Sequence, residues 1–193
     1  MEKEQRILEL SIQIDELERK RKELFEKLDT CAINDDNAYE FVEELNLLGR
    51  QLDELEDQLL LAKGPSFSNQ EIDLYKDEEL SNENEENYFL TIHGTAQKIG
   101  RIRVTLGHID PYYANIGYSI SEPFRGHHYT LQSLNMLRER MIEKGLTKPL
   151  ITAKPDNIAS IKTIESFGGT LVSKEEWNTY EVDLLKEKDT IKK

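Results

Sequence analysis

The segment Arg125-Gly126-His127-His128-Tyr129 lies between a strand pattern ending near Ile120 and a helix pattern beginning at Leu131. Asn157 opens another helix just after the strand pattern Leu150-Ile151-Thr152-Ala153. This order sets a helix N-terminus, with its unpaired N–H groups and partial positive charge, beside the gap between two strands, where a ligand's phosphates can be held. Chemistry on such a ligand is group transfer, so the stretch from Asn115 to Gly169 marks a candidate transferase. His108, His127 and His128 lie in or beside it, and histidine is the residue type that moves protons near neutral pH.

The elements around this stretch can be read from periodicity. Tyr88 to His93 alternates as a strand, Gly94 to Gln97 turns, and Ile99 to Leu106 returns, giving an antiparallel hairpin. After Pro111-Tyr112-Tyr113, Ile116 to Ile120 makes the third strand of a meander. Leu131, Leu134, Leu137, Met141 and Ile142 predict a helix ending near Gly145, and Asp156 or Asn157 caps a second through Ile158, Ile161 and Ile164 to Gly168-Gly169. Thr170 to Val172 and Trp177 to Leu184 close the chain as a strand pair. These elements predict an α+β fold with a mixed sheet between helices.

Upstream, Ile7, Leu10, Ile14, Leu17, Arg21, Leu24 and Leu28 alternate at spacings of three and four, the a/d seam of a coiled coil. The pattern restarts as Ala38, Phe41, Leu45, Leu48, Leu52, Leu55, Leu59 and Ala62, with Asp36 or Asn37 as N-cap. Two helices joined by the loop at 30–37 form an antiparallel hairpin, and Gly64-Pro65 ends it. The expected domains are therefore 1–64, an α-helical hairpin, and 65–193. A lone hairpin buries little apolar surface, so residues 1–64 are expected to pair with a second copy or another protein. Residues 66–86 are polar and acidic apart from Ile72-Asp73-Leu74-Tyr75, a candidate first strand, and the run from Asp77 to Glu86 reads as a solvated, mobile connection.

Composition narrows the partners. The net charge of −13 is uneven: residues 1–96 hold 26 Asp and Glu against 10 Lys and Arg, a net of −16, while residues 97–193 hold 12 against 15, a net of +3. An acidic half argues against nucleic acid as a partner, whereas the mildly basic half accepts an anionic cofactor. No apolar run approaches the roughly 18 residues a membrane span requires, and Met1-Glu2-Lys3-Glu4-Gln5-Arg6 lacks an apolar signal core. No membrane partner and a cytoplasmic location are the expectations. Cys31 is the single cysteine, which excludes an internal disulfide or a cysteine-rich metal site, and no metal is expected.

Asn115-Ile116-Gly117-Tyr118-Ser119-Ile120, Arg125-Gly126-His127-His128-Tyr129, Ile151 to Ser160 and Ile164-Glu165-Ser166-Phe167-Gly168-Gly169 together resemble the GNAT-type acetyl-CoA-dependent N-acetyltransferases. Within these, they are most similar to the branch that acetylates ribosomal-protein amino termini and to its bacterial relatives. The resemblance spans about residues 86 to 185. It implies a GNAT-like mixed, mostly antiparallel sheet flanked by helices, and acetyl transfer from acetyl-CoA to a primary amine, on a peptide N-terminus or a small molecule. By the same resemblance, Ile120, Ser121, Arg125, Gly126, His127, His128, Tyr129, Thr130, Asn157 and Ser160 would bind the cofactor. A backbone N–H near Ile120 or Ser121 would polarise the thioester carbonyl. Ser160 would give the thiolate a proton, Glu122 would act as general base, and His108 would relay the amine proton. Tyr112, Tyr113 and Tyr118 read as core or groove-lining rings.

Three departures from the family pattern bear on activity. The tyrosine that often stands seven residues after the asparagine is Ile164 here, and the second glycine of the phosphate turn is His128. Where two helices usually precede the meander there is only the acidic stretch from Lys76 to Asn87; either the N-terminal hairpin takes their place or the acceptor groove is unusually open, and its negative charge would favour a cationic amine. The alternative is a weakened or inactive acyl-CoA-binding module whose hairpin mediates assembly or binds a regulatory protein. The hairpin also loosely resembles small two-helix aspartyl-phosphate phosphatases, through Gly49-Arg50-Gln51-Leu52-Asp53.

Overall fold

The structure, a computed structural model, describes residues 2–30, 36–107 and 114–186. Its contacts divide the chain into two compact units, residues 1–64 and 65–193. Cys31, His108, Tyr112 and Tyr113 lie outside the described residues, as do the side chains of the expected caps Asp36 and Asn37.

In the first unit, α1 (Glu2–Asp29) and α2 (Asp36–Lys63) pack together. They run antiparallel: Lys3 Nζ donates to Lys63 O at 2.9 Å and Arg6 Nη2 to Gln58 Oε1 at 2.8 Å. The spacing of three and four puts Leu10, Leu24, Leu48 and Leu52 in the buried seam. Arg21, which falls on the expected seam, is exposed instead, because a guanidinium keeps its hydration unless it is paired. Gly64 adopts φ 80°, a conformation that glycine enters freely, and its N–H closes the helix on Leu60 O.

The second unit begins with a five-stranded antiparallel sheet: β1 (Phe67–Ser68), β2 (Ile72–Lys76), β3 (Glu85–Ile92), β4 (Lys98–Thr105) and β5 (Ile116–Ile120), in that spatial order. A short 3-10 turn (Glu122–Phe124) leads into α3 (Tyr129–Glu143). Next come β6 (Leu150–Ala153), α4 (Ile158–Phe167), β7 (Gly169–Lys174) and β8 (Asn178–Val182), the three strands forming a second antiparallel sheet in the order β6-β8-β7. Period-two alternation buries Ile102 and Val104 of β4 beside Tyr88, Leu90 and Ile116, while Arg101 and Arg103 stay exposed. Leu134, Leu137 and Met141 of α3 and Ile164 and Phe167 of α4 complete the same core. Each such side chain contributes roughly 1.5–3 kcal/mol when fully buried. α4 stops where Gly168 takes φ 106° and returns its N–H to Glu165 O.

The acidic connection is ordered, contrary to its polar composition. Asp77 N–H donates to Asn87 O, Asn82 N–H to Glu85 O, and Leu80 N–H to the Asp77 carboxylate. β3 starts at Glu85, three residues before the alternation becomes visible, and Glu86 is buried within it. Its carboxylate receives Arg140 Nε at 3.1 Å, Arg140 Nη2 at 2.5 Å and the Tyr88 hydroxyl at 2.8 Å. The partner that makes this burial affordable stands 54 residues away on α3, beyond the reach of any local pattern.

Candidate active site

The two sheets meet edge to edge at one point, and Asn115 makes the joint. Its backbone N–H, which would ordinarily continue the ladder to β4, donates to Leu150 O at 2.8 Å. Its own side chain takes over the vacated ladder position, with Nδ2 donating to Thr105 O at 3.0 Å and also to Gly107 O at 3.2 Å. Oδ1 accepts the Leu150 N–H at 2.9 Å. The residue is 3% exposed, so these bonds form away from competing water.

Beyond that joint β5 and β6 belong to different sheets and share no ladder. Thr105 N–H donates to Asn115 O, and Ser121 N–H donates to Ile99 O. Backbone groups alternate along a strand, so those of Ile116, Tyr118 and Ile120 point away from β4 and towards the gap. A cleft of ≈ 400 Å³ opens there, lined among others by Arg103, Tyr118, Thr152, Asn157, Ser160 and Trp177. An extended polar chain entering it would find unpaired strand edges to bond, as an added strand does.

Two of the hydroxyl-bearing residues that line the cleft form a pair. Tyr118 Oη and Ser160 Oγ lie 2.7 Å apart, joining β5 to α4 across the gap. Burial pushes the Tyr118 phenol above its ordinary value, against the opposing pull of its bond with Ser160. Asn157 caps α4 by accepting the Ser160 N–H at 3.1 Å, which fixes both residues at the cleft wall.

At the far end of β5 the turn follows a helix-opening geometry. Gly126 has φ 88° and His128 φ 60°, the latter being the non-glycine residue in the left-handed region among the described residues. His128 O accepts the Gln132 N–H, while its side chain makes no capping bond and remains exposed. His127 stacks on Tyr129 with ring centroids 5.3 Å apart, and Thr130 is buried. Arg125 Nε donates to Ile120 O at 3.0 Å, which ties the guanidinium to the end of β5. A non-glycine residue in this conformation costs of order 1 kcal/mol. His128 thus holds a backbone conformation that glycine enters freely.

The sequence candidates separate on this geometry. Tyr118, Asn157 and Ser160 line one cleft, with Ile120, Arg125 and the turn at the end of β5 that leaves it. Glu122 sits exposed in the 3-10 turn and is not among the lining residues. The Ser121 N–H is already bonded to Ile99, so of the two backbone donors considered, the Ile120 N–H is the one directed at the gap. Ile164 is fully buried in the core and contributes no polar group. The acidic stretch at 76–87 does not line the cleft; the charged side chain that does is Arg103, which sits 3.9 Å from Glu85. Asn115 and Tyr118 acquire their roles here. Both lie in the motif at 115–120, yet nothing in their spacing shows that one rivets two sheets and the other meets α4.

Comparison with known proteins bears on the same region. Residues 58–170, more than half of the chain, match the family model described as an acetyltransferase (GNAT) domain. Similar solved structures include an acetyltransferase from Agrobacterium tumefaciens, at 22% identity over 49% of this chain and 58% of that one, with a TM-score of 0.43. A ribosomal-protein-S5-alanine acetyltransferase from Vibrio fischeri matches at 14% identity over 54% of this chain and 64% of its own, with a TM-score of 0.46. RimJ from Mycobacterium smegmatis, in complex with a CoA-disulfide, matches at 15% over 52% and 53%, with a TM-score of 0.44. The chain spans less than two thirds of each of these three. No curated protein matches it.

Proposed function

The chain belongs to the GNAT acetyltransferase family, and on that premise we propose that it transfers an acetyl group from acetyl-CoA to a primary amine, on a peptide N-terminus or a small molecule. The observation that carries the proposal is the cleft held open at Asn115, with unpaired strand edges on its sides and the Tyr118–Ser160 hydroxyl pair across it. The residues present fit acetyl-CoA. The N–H groups at the start of α3 and Arg125 suit its phosphates, and the edges of β5 and β6 suit its amide-bearing arm. When bound, acetyl-CoA supplies a thioester whose carbonyl carbon accepts the amine. The Ile120 N–H is directed to polarise a carbonyl in the gap, Asn157 orients α4, and Ser160 Oγ stands ready to protonate sulfur.

No carboxylate lines the cleft among the described residues. The incoming amine therefore enters as its free base or loses its proton to water or to a carboxylate outside the cleft lining, such as Glu122. Calorimetric titration with acetyl-CoA tests the cofactor half of the reading, and thiol release against a panel of amines and peptides tests the transfer. We expect saturable binding that weakens about tenfold in Asn157→Ala, the equivalent of one lost hydrogen bond. Absence of binding at millimolar acetyl-CoA would sink the proposal.

A second reading, that of an acyl-CoA-binding module with little or no turnover, is favoured by Ile164 in the core and by the exposed His128 in the phosphate turn. Binding without thiol release is its signature. On either reading we propose that residues 1–64 make an assembly or protein-binding surface. The hairpin leaves Leu8, Ile12, Phe25, Tyr39, Val42 and Leu47 exposed, an unusual number of apolar side chains for a free surface. Sedimentation of the full chain is expected to give more than the monomer mass, and a monomer across a wide concentration range would remove self-association.

A further inference from the structure

We propose that Tyr118 is a positioning residue that holds Ser160 Oγ as the hydrogen-bond and proton donor to the sulfur of the acetyl donor. This inference rests on the acetyl-CoA reading above. Its first support is the hydroxyl geometry of the two helices. Ser133 donates to Tyr129 O and Thr163 to Ala159 O, each satisfying itself on the preceding turn of its own helix. Ser160 does not. Its Oγ leaves the helix and meets Tyr118 Oη at 2.7 Å in the cleft.

The second support is the direction this imposes. A serine hydroxyl has one proton, and one of the two oxygens must donate to the other. When Tyr118 donates, the Ser160 proton is released towards the cleft, where a sulfur can take it. Burial raises the phenol above its ordinary value, so Tyr118 keeps a proton to give to Ser160 at the 2.7 Å contact. The charged side chain lining the cleft with them among the described residues is Arg103, on β4, and no carboxylate there competes for either proton. Ile164, four residues further on, carries no hydroxyl and lies in the core, and Thr163 bonds its own helix at Ala159 O, so on α4 the proton is assigned to Ser160, held from β5 by Tyr118.

The proposed step balances. The amine nitrogen bonds to the acyl carbon, and the carbon–sulfur bond breaks with its electron pair remaining on sulfur. Ser160 gives its proton to that sulfur and draws the Tyr118 proton in turn. The surplus proton of the acylated nitrogen passes to water, and water restores Tyr118.

The test does not depend on knowing the acceptor. The thiol of coenzyme A, bound at saturation to the full chain, is titrated by its thiolate absorbance, with the phenolate followed at its own band. In wild type the bound thiolate is stabilised. In Tyr118→Phe the thiolate-to-thiol ratio at fixed pH falls about tenfold, one unit in thiol pKa, and Ser160→Ala loses at least as much. The double variant falls no further than Ser160→Ala, because Tyr118 acts through Ser160. Unchanged thiol titration in a Tyr118→Phe protein that binds coenzyme A overturns the inference while leaving the acetyl-CoA reading intact. Failure of wild type to bind coenzyme A overturns both. Should Tyr118→Phe not fold, a ring-fluorinated tyrosine at 118 keeps the shape and makes the phenol more acidic. It is expected to raise the bound thiolate fraction, and no change there is equally decisive against the inference.

Discussion

Arg140→Leu is expected to lower the stability of the folded chain by about 3 kcal/mol at neutral pH, read from denaturant midpoints. That is the lower end for breaking a buried ion pair, since the guanidinium keeps 32% of its surface while the Glu86 carboxylate keeps 4%. The loss arises because Glu86 remains, buried and charged, with the Tyr88 hydroxyl as its one strong partner. Acid titration separates this cause from mere loss of packing. Burial alone would raise Glu86, but the hydrogen bonds from Arg140 and Tyr88 and the nearby positive charge hold it below its ordinary value. A carboxyl lowered on folding stabilises above the unfolded value, about 4.3 for glutamate, and that contribution disappears as pH falls through the folded value. In Arg140→Leu burial dominates and the shift reverses, so acidification through the carboxylate range relieves the variant while it weakens wild type. Parallel pH profiles for the two proteins would show that the pair carries no such energy.

Asn115→Ala is expected to cost about 2–4 kcal/mol and to weaken acetyl-CoA binding as well. The substitution removes the side-chain donor to Thr105 O and Gly107 O and the acceptor of the Leu150 N–H, leaving three backbone groups short of a partner around a buried position, at about 1–3 kcal/mol each and less than additively. Asn115→Asp keeps the acceptor for Leu150 but puts a carboxylate against Thr105 O and Gly107 O, so it does not rescue. Because the joint sets how β5 and β6 diverge, the affinity loss should exceed that of a surface change of equal stability cost, measured by calorimetry below the melting range. A stability change within about 0.5 kcal/mol, the range of an unconstrained surface site, would show that other contacts hold the sheets together.

Much of the fold was legible because its signals are local. The meander, α3 and α4 follow from alternation of two and from spacings of three and four, and β5 and β6 emerge with their predicted bounds. β1 was not legible, since two residues carry no period. The start of β3 was hidden because Glu85-Glu86 looks like solvated charge until Arg140 is placed opposite. The candidate site was legible as an ordered set of pieces, Arg125-Gly126, Asn157 and Ser160, but not as distances. Tyr118 read as a groove-lining ring because the spacing within β5 says nothing about a helix 42 residues later.

By itself the sequence determined the helices, most of the strands, and the family whose motif order they share, because backbone preference and side-chain period act over a few residues. The tertiary structure alone decided which groups meet: Asn115 exchanging its backbone bond for a side-chain one to join two sheets, Glu86 finding Arg140, and Tyr118 meeting Ser160 across the cleft. Those outcomes depend on removing polar groups from water together, and desolvation is settled by neighbours in space rather than in the chain.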